Sequence, residues 1–292
     1  MFKILNKQVL AANIKRLDIF APTVARKVEP GQYVRVAPEA GDETVPLTVV
    51  DWNPLRGTIS LIIQEVGATT QKLGALAISD NVFSVLGPLG IAAKIEKKGT
   101  VICITTGIGT AQMLPVARAF KRAGNKVIGI ISARTKKALL LESQFRLCCN
   151  NIFITTEDGT YERRGLATDV LRPLIHKQEI HLVYAIGSAE MMKSVSGLTQ
   201  SRSIATRVQL NPMMVDCMGM CGSCRVKVDG RMALACIEGP EFDGHGVDWE
   251  DYSIRINAVK GNALWQKHSP SLNQHNEESK TFRKFLSGIL NG

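Results

Sequence analysis

One short stretch of this chain concentrates side chains able to hold a metal. Asp216, Cys221 and Cys224 fall within residues 216–224, and Cys236 completes the spacing C-x2-C-x11-C. Thiols this dense bind a metal or form disulfides. Gly219 and Gly222 stand between the candidate ligands, where a tight loop needs φ > 0 and room for backbone amides to face sulfur. With Asp216 as the expected fourth ligand five residues before Cys221, and Cys217 at four residues as the alternative, the spacing suits a [2Fe–2S] cluster. It suits zinc less well, because structural zinc usually pairs two C-x2-C knuckles.

Two glycine-bearing junctions carry a second chemistry. Thr105–Ala111 follows an apolar strand and opens a helix, with Gly107, Gly109, Thr110 and Ala111 at the turn. Glycine there lets backbone amides approach a pyrophosphate at the positive end of the helix. Gly187, Ser188 and Glu190 form a similar junction after His181–Ile186. In a parallel sheet ligands bind beyond the carboxyl ends of strands, so both junctions can face one nucleotide. A third candidate lies nearer the N-terminus. Pro46, Leu47 and Thr48 sit on a strand, and Gly67, Ala68, Thr69 and Thr70 open a helix. A hydroxyl plus helix-start amides suits a flavin diphosphate, although Gly67–Thr70 taken alone is more often a plain helix cap. The histidines at 176, 181, 245, 268 and 275 form no ligand or triad pattern, and no serine or cysteine looks activated. Cys103, Cys148 and Cys149 read as buried structural thiols. No catalytic side chain is expected; the chemistry belongs to cofactors.

The elements that must position these groups change character along the chain. Gln32–Val36, Val45–Asp51, Thr58–Gln64 and Val82–Leu86 read as strands broken by Pro/Gly turns, the last stopping at Gly87–Gly90. With one short helix over Ala68–Leu73, they suggest a small antiparallel barrel. After Lys97-Lys98-Gly99 the pattern becomes strand–helix alternation. Apolar strands are expected at Val101–Thr105, Lys126–Ser132, Asn151–Thr155 and His181–Ile186, with a helix over Thr110–Ala123. That alternation implies a parallel sheet with helices on both faces. Ile204–Leu210 reads as the last strand before the cysteine loop. From Ser269 the chain is polar and then weakly amphipathic around Phe282, Phe285, Leu286 and Ile289, which reads as a frayed helix before a docking element.

A chain of 292 residues has room for two or three domains. The N-terminus has no apolar run of signal-peptide length, and no apolar stretch approaches a membrane span. A cytoplasmic protein is therefore expected, and an odd count of seven cysteines argues against a disulfide framework. The net charge of +10 is uneven: residues 97–206 carry +9 and residues 207–260 carry −2. A basic segment attracts nucleic acid, a nucleotide or an acidic protein, or is simply solvated. A zinc-stabilised nucleic-acid-binding protein would use that charge, but would leave two nucleotide-type junctions unexplained.

The order of barrel, dinucleotide sheet and cysteine loop resembles the ferredoxin–NADP reductase superfamily. Over about Ile4–Asp251 it is most similar to the branch holding the dihydroorotate dehydrogenase electron-transfer subunit and the small subunit of NAD-dependent ferredoxin:NADP oxidoreductase. The most specific stretch runs from Leu210-Asn211-Pro212 through Met220-Cys221-Gly222-Ser223-Cys224 to Ala235-Cys236-Ile237-Glu238-Gly239-Pro240. The ferredoxin-linked branch has Asp at the first cluster position, as at Asp216; the dihydroorotate branch has Cys. The resemblance implies an FAD-binding β-barrel over residues 1–96 and an NAD(P)-binding α/β domain over 97–206. It implies a [2Fe–2S] subdomain over 207–260, followed by a tail over 261–292. It implies that NAD(H), with NADP(H) the less favoured nucleotide, exchanges hydride with the flavin, and that single electrons leave through the cluster. A larger flavoprotein and iron–sulfur partner subunit is expected, with ferredoxin reached through it; neither nucleic acid nor a membrane span is expected. The same electron path feeding orotate synthesis is the nearest rival. Four positions depart from the family pattern: Thr44 stands for an Arg that binds flavin phosphate, Thr106 for Gly, Gln112 for Pro, and Cys217 for Gly.

Overall fold

The computed structural model describes residues 2–268, with side chains through residue 258. The expected tail element around Phe282–Ile289 lies outside the described residues. Met1–Tyr252 forms one compact unit and Ser253–Gly292 a second.

Seven antiparallel strands build the first half. They are β1 (Phe2–Ala11), β2 (Ile14–Phe20), β3 (Tyr33–Ala37), β4 (Val45–Asn53), β5 (Thr58–Gln64), β6 (Asn81–Val82) and β7 (Ser84–Leu89), in the spatial order β6-β1-β2-β5-β4-β3-β7. The edge strands β6 and β7 are separated only by Phe83, so the sheet curls almost closed and leaves little free edge. Alternating residues of β2 and β5 (Leu17, Ile19, Ile59, Leu61, Ile63) fill the interior, all fully buried. A four-residue α1 (Pro22–Ala25) and α2 (Ala68–Ala75) plug the barrel, α2 through Leu73.

The second half is a parallel sheet: β8 (Thr100–Thr106), β9 (Lys126–Ala133), β10 (Asn151–Thr156), β11 (Arg163–Arg164), β12 (Leu182–Ile186) and β13 (Thr206–Gln209). Helices α3 (Gly109–Arg122), α4 (Glu142–Cys148), α5 (Ala167–Lys177) and α6 (Ala189–Gln200) alternate with them. The order β11-β10-β9-β8-β12-β13 places β9 on one side of β8 and β12 on the other. The chain therefore reverses direction between β8 and β12, which opens a crevice at their carboxyl ends. A hairpin, β14 (Arg225–Val228) and β15 (Arg231–Leu234), follows the cysteine loop; α7 (Trp249–His268) follows the last strand.

One expectation needs correction. The strand near Val82–Leu86 is interrupted at Phe83 and then continues to Leu89, because Tyr33↔Leu89 pairing extends the ladder beyond Gly87-Pro88. The strand expected last before the cysteine loop is β13, and after that loop β16 (Glu241–Asp243) pairs with it antiparallel, Val208 opposite Phe242. Three residues are too few for a periodic signal, so that return strand was invisible locally. Among the described residues no helix is long and apolar enough to cross a membrane.

Candidate functional site: a junction cavity beside a cysteine loop

A cavity of about 280 Å³ lies where the barrel, the parallel sheet and the cysteine segment meet. The barrel contributes Tyr33 from β3, Val45–Thr48 and Val50 from β4, and Ile62 and Gln64 from β5. Helix α3 and the turn before it contribute Ile108, Ala111 and Gln112; the exit of β13 contributes Gln209, Leu210 and Asn211. Strand alternation explains the wall: Tyr33 is paired with Thr48, so side chains of neighbouring strands reach one face together. The lining combines flat apolar surface with amide and hydroxyl groups. That composition suits a heteroaromatic ring with polar edges.

One polar group in this wall is orphaned. Gln209 is 5% exposed, and its Nε2 donates to Gly31 O at 3.3 Å. Only the amide nitrogen can donate to a carbonyl, so this contact fixes the side-chain orientation. Oε1 is left buried with no partner among the described residues. An unpaired buried acceptor is costly and calls for an N–H donor. A flavin ring offers such a donor on its edge, so the cavity fits an isoalloxazine group.

The helix-start quartet behaves otherwise. Val66 and Gly67 N–H both donate to Thr70 Oγ1 at 3.0 Å, and that hydroxyl donates to Gly67 O at 2.9 Å. Thr70 thus caps α2 and is the only member of Gly67–Thr70 that reaches the cavity; Gly67, Ala68 and Thr69 do not line it. The Thr70 hydroxyl engages the Val66 and Gly67 amides, and the first-turn amides of Ala68, Thr69 and Thr70 are the ones that a flavin diphosphate would meet. Thr44, where the family has Arg, donates its hydroxyl to Val215 O at 3.2 Å instead.

The two glycine junctions come together at the crevice. Ser188 N–H donates to Thr106 Oγ1 at 3.1 Å, which gives Thr106 a use that a glycine would lack. A Cβ at Gly109 would stand 2.6 Å from Ile186 O, so the start of α3 packs backbone to backbone on the end of β12. Gly107 has φ +57, the region where glycine is unstrained. Helix α3 opens without a side-chain cap; the Thr110 and Ala111 N–H groups donate to Gly107 O at 3.2 Å and Ile108 O at 3.0 Å, which leaves the amides of Ile108 and Gly109 to face an anion. Ser188 caps Met191 N–H at 3.2 Å. Glu190 is exposed in the first turn of α6, where a carboxylate accepts from hydroxyl or amide groups rather than meeting phosphate. Thr110 is fully buried with an unpaired hydroxyl. Of the basic residues after β9, Lys136 lies 4.7 Å over the Tyr161 ring, whereas Arg134 and Lys137 are exposed.

The cysteine segment, residues 210–224, is irregular loop. Its turns use positive φ at Cys217 (+58), Gly219 (+81) and Gly222 (+66). Cys217 occupies a left-handed position, which explains why the family pattern carries glycine there. Asp216 Oδ2 accepts from Cys221 N–H at 2.7 Å and Met220 N–H at 3.2 Å, and Oδ1 accepts from Met218 N–H at 3.0 Å. The Met218 amide leads these donors in holding the carboxyl below its ordinary range. The Cys221 thiol lies 3.2 Å from Ser223 Oγ. Cys224 and Cys236 are buried with their Sγ atoms 3.2 Å apart. Burial pushes the Cys236 thiol up to about 12, with Cys224 adding to the effect; the Gly219 amide opposes it. Cys217 is 2% exposed, beside the Tyr33 hydroxyl and near Arg35.

Cys224 and Cys236 form a close thiol pair, and Asp216 is tied to Cys221 through the Cys221 main-chain N–H. Three thiols with one carboxylate supply the four ligands a two-iron cluster takes, two on each iron. The donor set therefore fits [2Fe–2S]. Cys103, Cys148 and Cys149 are all buried, in one apolar cluster under α3, as expected of structural thiols. Tyr33 and Gln209 were not picked out as site residues in the sequence, and Asn211 entered only as part of the motif stretch. Gln209 immediately precedes the motif stretch beginning at Leu210, and that adjacency was its only local signal.

A nearly closed antiparallel barrel, a nucleotide-type parallel sheet and a C-terminal iron–sulfur segment define a ferredoxin-reductase-like electron-transfer oxidoreductase. The sequence profile of the iron-sulfur cluster binding domain of dihydroorotate dehydrogenase B matches residues 211–248. The chain is 35% identical over 254 residues to a dihydroorotate dehydrogenase B (NAD(+)) electron transfer subunit homolog of Thermotoga maritima, covering 87% of this chain and 90% of that one. It is 38% identical over 268 residues to a Clostridium beijerinckii protein described only by its place in the adh 3′ region, covering 89% and 90%. The solved structure of an NADH-dependent reduced ferredoxin-NADP oxidoreductase superposes with a TM-score of 0.83 at 33% identity, covering 88% of this chain and 92% of that chain. The chain belongs to the family of dihydroorotate dehydrogenase B-type electron-transfer subunits and their homologues. This family and fold support FAD, a [2Fe–2S] cluster and NAD(H) as its cofactors, and imply a larger partner subunit.

Proposed function

We propose that this chain takes electrons from NAD(H) at FAD in the junction cavity and passes them singly through a [2Fe–2S] cluster to a larger subunit in ferredoxin-coupled NADP reduction. The carrying observation is the cavity itself, walled by barrel, nucleotide sheet and cysteine segment at once. FAD, when bound, supplies the exchange between two-electron and one-electron chemistry. The protein's part is placement. Pro46–Thr48 and Gln209 hold the ring, with Gln209 Oε1 accepting an N–H. The α3 amides after Gly107 and the Gly187–Ser188 turn hold the dinucleotide phosphates, and the apolar wall excludes water. Asp216, Cys221, Cys224 and Cys236 would hold the [2Fe–2S] cluster. Cys217 faces Tyr33 and serves as no ligand. Residues 1–96, 97–206 and 207–260 divide these tasks. NAD(H) is the favoured nucleotide because the Thermotoga maritima relative is described as NAD(+)-linked and the superposed structure as NADH-dependent.

The ferredoxin-linked role is favoured by Asp216 at the first ligand position and by the likeness to the ferredoxin-NADP oxidoreductase structure. Met213, Val215, Met218, Met220 and Ile237 expose apolar surface on the cysteine segment and its return, which supports a docked partner there. Orotate synthesis is the second reading, carried by the family profile and the Thermotoga maritima relative. Purification from native cells under anaerobic conditions tests both. Recovery with a large flavin and iron–sulfur subunit that reduces NADP in a ferredoxin-dependent assay is expected. Recovery with a dihydroorotate-oxidising subunit overturns the role in favour of the rival.

A further inference from the structure

The barrel wall that lines the cavity also grips the cysteine segment. Tyr33 is 3% exposed, lines the cavity, and donates its hydroxyl to the main-chain carbonyl of Cys236 at 3.1 Å. Two positions along β3, Arg35 donates Nη1 to the carbonyl of Asp216 at 2.7 Å. Thr44, just before β4, donates to Val215 O at 3.2 Å. All three partners are carbonyls of the irregular segment or its return, and two belong to residues of the donor set. Cys217, next in sequence to Asp216, is buried at 2% exposure. We propose that Tyr33, Arg35 and Thr44 form a clamp that positions the cluster ligands against the flavin cavity and sets how firmly, and at what potential, the cluster is held. This rests on the ligand reading given above.

The physical argument has two parts. A loop without ladder or helix bonds keeps its geometry only through such outer contacts, and contacts that orient metal ligands matter nearly as much as the ligands themselves. The Arg35 guanidinium also adds a fixed positive charge next to the segment. A positive charge favours the more negative, reduced state of a cluster and so raises its potential. Tyr33 belongs to both sites through one rigid side chain. Its ring bounds the cavity and its hydroxyl ends on the backbone of Cys236. The three are positioning residues, since none supplies a ligand atom.

The test uses the full chain with both cofactors. Arg35→Met is expected to retain FAD, because Arg35 does not line the cavity, while iron is lost to a chelator about 10-fold faster. The equilibrium for cluster reduction is expected to fall about tenfold, which is about 59 mV for one electron. Arg35→Lys keeps the charge and is expected to recover most of the potential. Tyr33→Phe keeps the ring, loses the hydroxyl, and is expected to change the EPR line shape of the reduced cluster. Thr44→Val, at an exposed contact, gives the same chelation readout if Arg35→Met does not accumulate as folded protein. Unchanged potential, line shape and chelation rate in folded Arg35→Met and Tyr33→Phe overturn the clamp. The ligand reading fails separately: a wild-type chain without iron, or Cys224→Ala that keeps its cluster, overturns that reading whatever Arg35 does.

Discussion

The cavity and the cysteine loop are neighbours, yet they are held by different forces. Two thirds of the cavity wall residues sit on a strand of one of two sheets or on α3 and its first turn, with Val66, Thr70, Leu210, Asn211, Met214 and Pro240 completing it, so burial and ladder bonds fix most of the wall before any ligand arrives. The loop over residues 210–224 has neither strand nor helix, keeps Cys217, Gly219 and Gly222 at positive φ, and exposes Met220 at 82%. Its order comes from Asp216 capping its own amides and from donors on the barrel. A fold that preforms one site and leaves the other to its ligand should respond asymmetrically to loss of either cofactor.

The strongest way to break that comparison is Cys224→Ala. The cluster is expected to vanish completely, with iron content near zero and the visible cluster bands gone, while FAD stays bound. Amide exchange should rise over residues 210–224 and stay unchanged in the barrel. Loss of FAD together with iron would show that the two sites are one cooperative unit.

Gly109→Val acts on the third wall of the same junction. Even a single Cβ meets Ile186 O at 2.6 Å, so α3 must shift away from β12. A displacement of about 1 Å can cost roughly 100-fold in turnover. We expect kcat/KM for NADH to fall by about that factor, with the absorption of the cluster unaltered. Steady-state kinetics beside the visible spectrum decides; unchanged kinetics would remove this turn from the nucleotide site.

How much of this was legible depended on the range of the interaction. The runs Val101–Thr105 and Thr58–Gln64 were readable because strand periodicity is local, and the C-x2-C-x11-C spacing was readable because loop ligands must be near in sequence. Thr70 permitted two readings, since a hydroxyl three residues after Gly67 serves equally as cap or as ligand group; only its hydrogen bonds separate them. Tyr33 to Cys236 spans 203 residues, and nothing in either local pattern announces the contact. The strand β16 was hidden for the opposite reason: at three residues it is too short to show a period.

Thr44→Arg sharpens the contrast between the sites because it pits one against the other. A guanidinium at this position offers flavin phosphate a charge-assisted contact of about 1.5–3 kcal/mol. It also removes the hydroxyl that donates to Val215 O. FAD retention on dilution is expected to improve while the cluster becomes easier to chelate. Gel filtration followed by flavin and iron assay reads both. No gain in FAD retention would mean that the phosphate contact is already supplied elsewhere.

The smallest effect belongs to a network on the barrel that serves neither site. The Asp18 carboxylate on β2 accepts from Ser60 Oγ at 2.6 Å, Arg16 Nε at 2.9 Å and Asn6 Nδ2 at 3.1 Å. Burial alone would raise its pKa; the hydrogen bonds, Ser60 first, outweigh burial and hold it below the ordinary carboxylate value. A depressed carboxylate contributes stability that is fully present above the unfolded value of about 3.9. That contribution is lost as pH falls through the lower folded value, so it belongs to the acid limb alone. The group is only half-buried and solvent screens it, which keeps the effect small. Asp18→Asn should flatten the dependence of Tm on pH below about pH 5 and lower Tm slightly at pH 7. Bound FAD and iron should match wild type at pH 7. If the acid limb keeps its full slope in the variant, the stabilising carboxylates lie elsewhere, in the cavity walls or in the loop that Asp216 caps.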